Sequence, residues 1–168
     1  TERLTDSVND TDHPVEYCPV HKLFEKQAAE HPDRMTVIAA GERLTYGELN
    51  SAADRAAGAL CDLGMKRGGI AGIVLPRRKE AMIAELAVWK ASGAFLPMTP
   101  SYPDDRIVYC LEDSGAQFVI TTEEIKNARP EVFGGEHSYV CLTVEDLLKH
   151  MASFEGTVTE PAQPAYCI

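Results

Sequence analysis

The stretch IAGIVLPRRKEAMIAELAVWKASGAFLPM, residues 70–98, reads as strand, helix, strand. Its first six residues, Ile70 to Leu75, form an almost wholly apolar run of strand length. A helix follows from about Lys79 to Ser92, with Gly93 as its stop, and Ala94-Phe95-Leu96-Pro97-Met98 is a second short apolar strand. Strands that are apolar on both faces and joined by an amphipathic helix belong to a parallel sheet, because parallel neighbours need a crossover connection of this kind.

The same alternation continues on both sides. Towards the C-terminus come a helix from Asp104 to Ser114 with Ile107 and Leu111 inward, a strand from Gln117 to Thr121, and a short helix after Thr122. A strand from Tyr139 to Leu142 and a helix from Val144 to Met151 complete the series. Towards the N-terminus, Val20 to His31 reads as a helix with Leu23, Phe24 and Ala28 on one side, ended by Pro32. Met35 to Ala40 is a strand, Gly41-Glu42 a tight turn, and Arg43-Leu44-Thr45 its return. Thr45-Tyr46-Gly47-Glu48 is a capping box, followed by Leu49, Ala52, Ala53, Ala56, Leu60 and Leu63 at helical spacing and by Gly64 as terminator. The fold class is α/β, a doubly wound, mostly parallel sheet covered by helices.

Composition narrows the function classes. The chain has 168 residues, 45% of them hydrophobic and 25% charged, which suits one soluble domain. A formal charge of −10 argues against a nucleic-acid partner, and the one dense basic run, Arg77-Arg78-Lys79, reads as a solvated helix start. No apolar run nears the roughly 18 residues of a membrane span, and a cytoplasmic location is expected. Five scattered cysteines (Cys18, Cys61, Cys110, Cys141, Cys167) suit reduced thiols. Cys18 and His21 have a C-x-x-H spacing with His13 nearby, but no second pair completes a zinc site.

Spacing alone yields little chemistry. The glycine-rich run Gly64 to Gly72 leads from helix into strand, the reverse of the phosphate-binding fingerprints, and reads as a helix stop and turn. Asp104-Asp105 reads as helix capping, and Trp89 as core or rim packing. No Ser-His-Asp or Cys-His set is legible.

Resemblance adds what spacing lacks. LTYGELN (Leu44 to Asn50) is similar to the first core motif of the adenylation domains of nonribosomal peptide synthetases, members of the adenylate-forming superfamily. VWKASGAFLPMTPSYPDDRIVYCLEDSGAQFVIT (Val88 to Thr121) resembles the second core motif and its continuation, departing from it at Ser92 and at Thr99, where aspartate is common. The leader from Val8 to Gly41 looks like the linker that joins a condensation domain to an adenylation domain.

The resemblance implies an N-terminal piece of the large adenylation subdomain. Its divisions are a linker over 1–19, an α/β part over 20–151, a connector over 152–164, and over 165–168 the start of the strand that precedes the family's phosphate loop. It implies for the parent protein ATP and Mg²⁺, an amino-acid substrate, phosphopantetheine on a carrier domain, and as partners the remainder of the adenylation domain, an upstream condensation domain and the carrier. For these 168 residues themselves it implies no catalytic, cofactor-binding or metal residue and no activity. The alternatives are part of a standalone acyl- or aryl-CoA ligase of the same superfamily, disfavoured by the linker-like leader, and a self-contained non-enzymatic nucleotide-binding or interaction module, disfavoured by the strand-like ending.

Overall fold

The computed structural model describes residues 17–151, 154, 156, 157, 159 and 162–168. Helix α1 (Val20–Glu30) leads to the antiparallel hairpin β1 (Met35–Ala39) and β2 (Glu42–Thr45). Helix α2 (Tyr46–Asp62) starts at the expected capping box: Thr45 Oγ1 accepts from the Glu48 amide at 3.2 Å, and the Glu48 carboxylate accepts from the Thr45 amide at 2.8 Å. Then follow β3 (Ile70–Val74), α3 (Lys79–Lys90), β4 (Ala94–Met98), α4 (Asp104–Asp113) and β5 (Phe118–Thr121). The last elements are α5 (Glu123–Ala128), α6 (Pro130–Phe133), β6 (Val140–Thr143) and α7 (Val144–Leu148). Thr122 and Thr143 cap α5 and α7 as Thr45 caps α2, so three threonines turn the chain into helices.

The four central strands form a parallel sheet in the order β4-β3-β5-β6, as the buried apolar runs require. One face carries Ala71, Ile73, Leu75, Phe118 and Ile120 and packs against α2, α3 and α7. The alanines of α2 (Ala52, Ala53, Ala56) and of α3 (Ala84, Ala87) are all buried there, and such small side chains let two helices approach closely. The other face carries Val74, Leu96, Met98 and Val119 and packs against Ile107 and Leu111 of α4 and Val132 and Phe133 of α6. Each fully buried Leu or Ile in these clusters contributes roughly 2 kcal/mol of transfer free energy. Among the described residues, no helix is long and apolar enough to cross a membrane.

Several local readings change. The hairpin turn is Ala40-Gly41, one residue earlier than expected, because both take left-handed backbone (φ 51° and 84°), the type I′ turn that matches strand twist. Alanine holds that conformation at a cost of about 1 kcal/mol, which asparagine largely avoids. Ala40→Asn is therefore expected to raise the thermal unfolding midpoint by roughly 2 °C, read by circular dichroism. Helix α3 ends at Lys90, with Ser92 rather than Gly93 in the left-handed conformation (φ 58°). Leu23 and Leu63 are exposed, Leu63 because it sits at the helix C-cap beyond the buried stripe. Helix α7 stops at Leu148, not Met151. Strand β6 begins at Val140, leaving Tyr139 buried with its hydroxyl donating to the Val132 carbonyl at 2.8 Å.

Candidate functional site

In a doubly wound sheet the loops that leave two adjacent strands in opposite directions open a crevice at the carboxyl edge. Here β3 leads to β4 on one side, while β5, its other neighbour, leads to β6 on the other. The crevice is closed by Thr121, whose fully buried hydroxyl donates to the Val74 carbonyl at 3.0 Å. The β3–β5 pairing extends only to Ile73 and Ile120, so the hydroxyl supplies a partner just beyond the paired register.

Beside it, on the α3 side, lies a cleft of ≈ 720 Å³ lined by Leu75, Pro76 and Arg77 after β3, Thr99 and Tyr102 after β4, and Glu85 of α3. Burial pushes the Glu85 carboxyl above its ordinary range. Thr99 Oγ1 lies 2.9 Å from Ser101 Oγ and accepts from the Ser101 amide, so the threonine hydroxyl builds this turn. Arg106 lies over the Tyr102 ring, 4.2 Å from its centroid.

The turns at this edge are rigid. Pro76, Pro100 and Pro103 lack amide hydrogens, so these turns present fewer backbone donors than a glycine-rich phosphate loop does. Arg129, which the sequence reading did not single out, holds the second turn: its Nη1 donates to the Pro100 carbonyl at 2.8 Å, Nη2 to the Tyr102 carbonyl at 2.6 Å, and Nε to Asp104 at 2.6 Å. Asp104 thus neutralises this arginine from the first turn of α4 and is not the cap, which is Pro103. Lysine cannot reproduce this fork. Arg129→Lys is expected to lose about 2 kcal/mol of stability by urea denaturation.

Away from this edge, Lys90 is almost fully buried, and its ammonium donates to Asp54 at 2.6 Å, Glu25 at 2.8 Å and Asn50 at 3.0 Å. Every donor is used, which marks a structural ion cluster. His21 is buried and Cys18 exposed; among the described residues no group of three metal-ligating side chains occurs, and His13 lies outside them.

The C-terminal residues reach the sheet. Tyr166 bridges Phe95 in parallel on the free edge of β4, with the Phe95 amide donating to the Ala165 carbonyl at 3.3 Å and the Cys167 amide to the Phe95 carbonyl at 2.9 Å. The expected strand over 165–168 is this single bridge. Trp89 is rim packing, as expected, and its indole N–H donates to the Ala165 carbonyl at 2.9 Å. A smaller cleft of ≈ 240 Å³ lies here, at the amino end of β4, between Tyr17, His21, Trp89 and Pro164. Sheet geometry favours the carboxyl edge as the site.

Known proteins resemble this chain in sequence and fold. The model of the family described as AMP-binding enzyme matches residues 24–166. A plipastatin synthase of Bacillus subtilis is 37% identical over 146 residues, 87% of this chain but 6% of that protein. Tyrocidine synthase 1 of Brevibacillus parabrevis is 37% identical over 150 residues, 89% of this chain and 14% of that protein. The chain thus spans a small part of these relatives. Among solved structures, the nonribosomal peptide synthetase FmoA3 in its AMPPNP-bound form is 29% identical with a TM-score of 0.88, over 98% of this chain and 18% of the other. The N-terminal subdomain of Klebsiella oxytoca NpsA in complex with anthranilyl-AMSN, 23% identical with a TM-score of 0.73, covers 88% of this chain and 36% of its own, and shares the fold. The match over residues 24–166 covers most of the sequence, and the chain belongs to the AMP-binding enzyme family.

Proposed function

We propose that the chain is the N-terminal part of an amino-acid-activating adenylation domain of a nonribosomal peptide synthetase, where it forms one wall of the active-site cleft. The parent reaction joins an amino-acid carboxylate to the α-phosphorus of ATP with loss of pyrophosphate, then passes the acyl group to a phosphopantetheine thiol on a carrier domain. The proline-rich edge turns support a reading in which the triphosphate is held elsewhere. We therefore assign ATP and Mg²⁺ to the remainder of the domain and give no residue here a catalytic, cofactor-binding or metal role.

The observation that carries this reading is the parallel bridge of Tyr166 to Phe95. A strand running parallel to β4 delivers whatever follows it to the carboxyl edge, beside the cleft of Arg77, Thr99 and Tyr102, where α/β sheets bind ligands. On the same reading residues 1–19 are the linker to a condensation domain, 20–151 the α/β part, 152–164 a connector and 165–168 the start of that strand.

The test is exchange of labelled pyrophosphate into ATP. The whole protein carrying this chain is expected to exchange when one amino acid is supplied, and the isolated chain with none. Exchange by the isolated chain overturns the wall assignment, and a whole protein that responds only to fatty or aryl acids belongs with the CoA ligases.

A further inference from the structure

In a β-ladder the backbone groups of successive residues point to opposite edges of the strand. The Ala94 amide donates to the Gly69 carbonyl at 2.9 Å, towards β3. The Phe95 amide donates outward to the Ala165 carbonyl at 3.3 Å, and the Phe95 carbonyl accepts from the Cys167 amide at 2.9 Å. The next position of β4 that faces outward is Pro97, and in a parallel ladder its amide would donate to the Cys167 carbonyl. Proline has no amide hydrogen, and its ring Cδ stands where that hydrogen would be. Among the described residues the Cys167 carbonyl accepts no hydrogen bond.

Up to that point the incoming chain is firmly held. The Tyr166 ring lies 6.3 Å from the Phe95 ring between centroids, the Trp89 indole donates to the Ala165 carbonyl at 2.9 Å, and Cys167 packs against the core beside α4. Proline in a sheet is confined to edges, where its common use is to keep foreign strands away. Here the chain's own residues already occupy the edge, so the missing donor acts on them. Pro97 is exposed and lines the cleft of Arg77, Thr99 and Tyr102.

We infer that Pro97 is a positioning residue: it ends the two-sided ladder between β4 and the strand over 165–168, so that polypeptide following this strand leaves the sheet at the mouth of the carboxyl-edge cleft. The inference rests on the proposed function, in which the remainder of the domain holds ATP. A strand with a full ladder runs on along β4 and carries its next residues past the cleft. One whose Cys167 carbonyl is unopposed turns there, while the Pro97 carbonyl still offers an acceptor on its other side.

The experiment uses the whole protein carrying this chain, with Pro97→Ala and Pro97→Val. Both restore the donor, and valine keeps the apolar bulk. In pyrophosphate exchange the KM for ATP is expected to rise about fivefold in both variants, the equivalent of one neutral hydrogen bond competing with the working geometry, while kcat changes less than about twofold. Loss of folded protein alone would lower kcat at unchanged KM. Hydrogen exchange read by mass spectrometry is expected to show the new amide at position 97 protected at least about fivefold over an exposed one. An unprotected amide there, an unchanged KM for ATP in both variants of a parent that exchanges, or a raised KM in Pro97→Ala alone, which assigns the effect to the lost ring, would each overturn the inference. A parent that exchanges with no amino acid defeats the proposed function instead, and protection at position 97 still decides whether the proline stops the ladder.

Discussion

Lys90→Ala is expected to lower the stability of the chain by about 3 kcal/mol, read as a fall in the urea midpoint at unchanged slope. The ammonium lies on α3, Glu25 on α1, and Asn50 and Asp54 on α2, so one charge ties three helices on the same face of the sheet. Removing the cation leaves Asp54 with no ion-pair partner and Glu25 held by Lys22 alone at 2.8 Å, their side chains 35% and 26% exposed, across a cavity. The partial exposure of the acids keeps the loss at the lower end of what broken buried pairs show. Neutralising the acids as well, in Lys90→Met with Glu25→Gln and Asp54→Asn, is expected to recover most of the loss, because the uncompensated charge has gone. A single mutant within about 1 kcal/mol of the parent, on the scale of an exposed pair, would show that the cluster does not hold the helices together.

The same cluster sets a pH dependence. Burial alone would raise the Glu25 carboxyl, but hydrogen bonds from Lys22 and Lys90 outweigh it and hold the group below its ordinary 4.5. Burial, with Lys22 and Lys90 adding to it against Glu25, lowers the His21 imidazole from its ordinary 6.5. Both groups are depressed in the fold, so each contributes fully above its ordinary value and loses that contribution as pH falls through the folded one. The thermal midpoint is expected to fall in two stages on acidification, the first below pH 6.5 and the second below pH 4.5. His21→Gln should abolish the first stage and leave the second. A single stage in that variant's parent would contradict the assignment.

How legible these features were in the sequence follows from their range. The capping box, the apolar strands and the α4 face at Ile107 and Leu111 depend on neighbours a few residues apart, and each lies where its pattern puts it. Lys90 and Arg129 depend on partners far away in sequence, such as Glu25 and Pro100, and nothing in their surroundings distinguishes them from solvated cations. The hairpin turn went to Gly41-Glu42 because glycine marks left-handed backbone, whereas the structure asks it of Ala40 too. The family was legible through motif resemblance. The cleft itself was not, since it is made by two turns brought together only by β3–β4 pairing.

Gly72→Val is expected to cost about 3 kcal/mol and to loosen the carboxyl edge where the cleft lies. Gly72 is fully enclosed in the central strand β3, on the face covered by α4. A Cβ there would stand 2.3 Å from Leu111 Cδ2, 3.2 Å from Met98 Cε and 3.5 Å from Val119 Cγ2. Leu111 is completely buried, so its methyl has no solvent into which to withdraw, and α4 itself must lift. Alanine tests the mechanism, since its single methyl already meets Leu111 and Met98, and the branched valine adds two further methyls in the same enclosed space. The expected order of urea midpoints is glycine, then alanine, then valine, with a second substitution, Leu111→Ala, restoring part of the valine loss by vacating the contested volume. If Leu111→Ala adds its own penalty in full to that of Gly72→Val, the two positions are not in steric contact and the close approach of β3 and α4 is wrong.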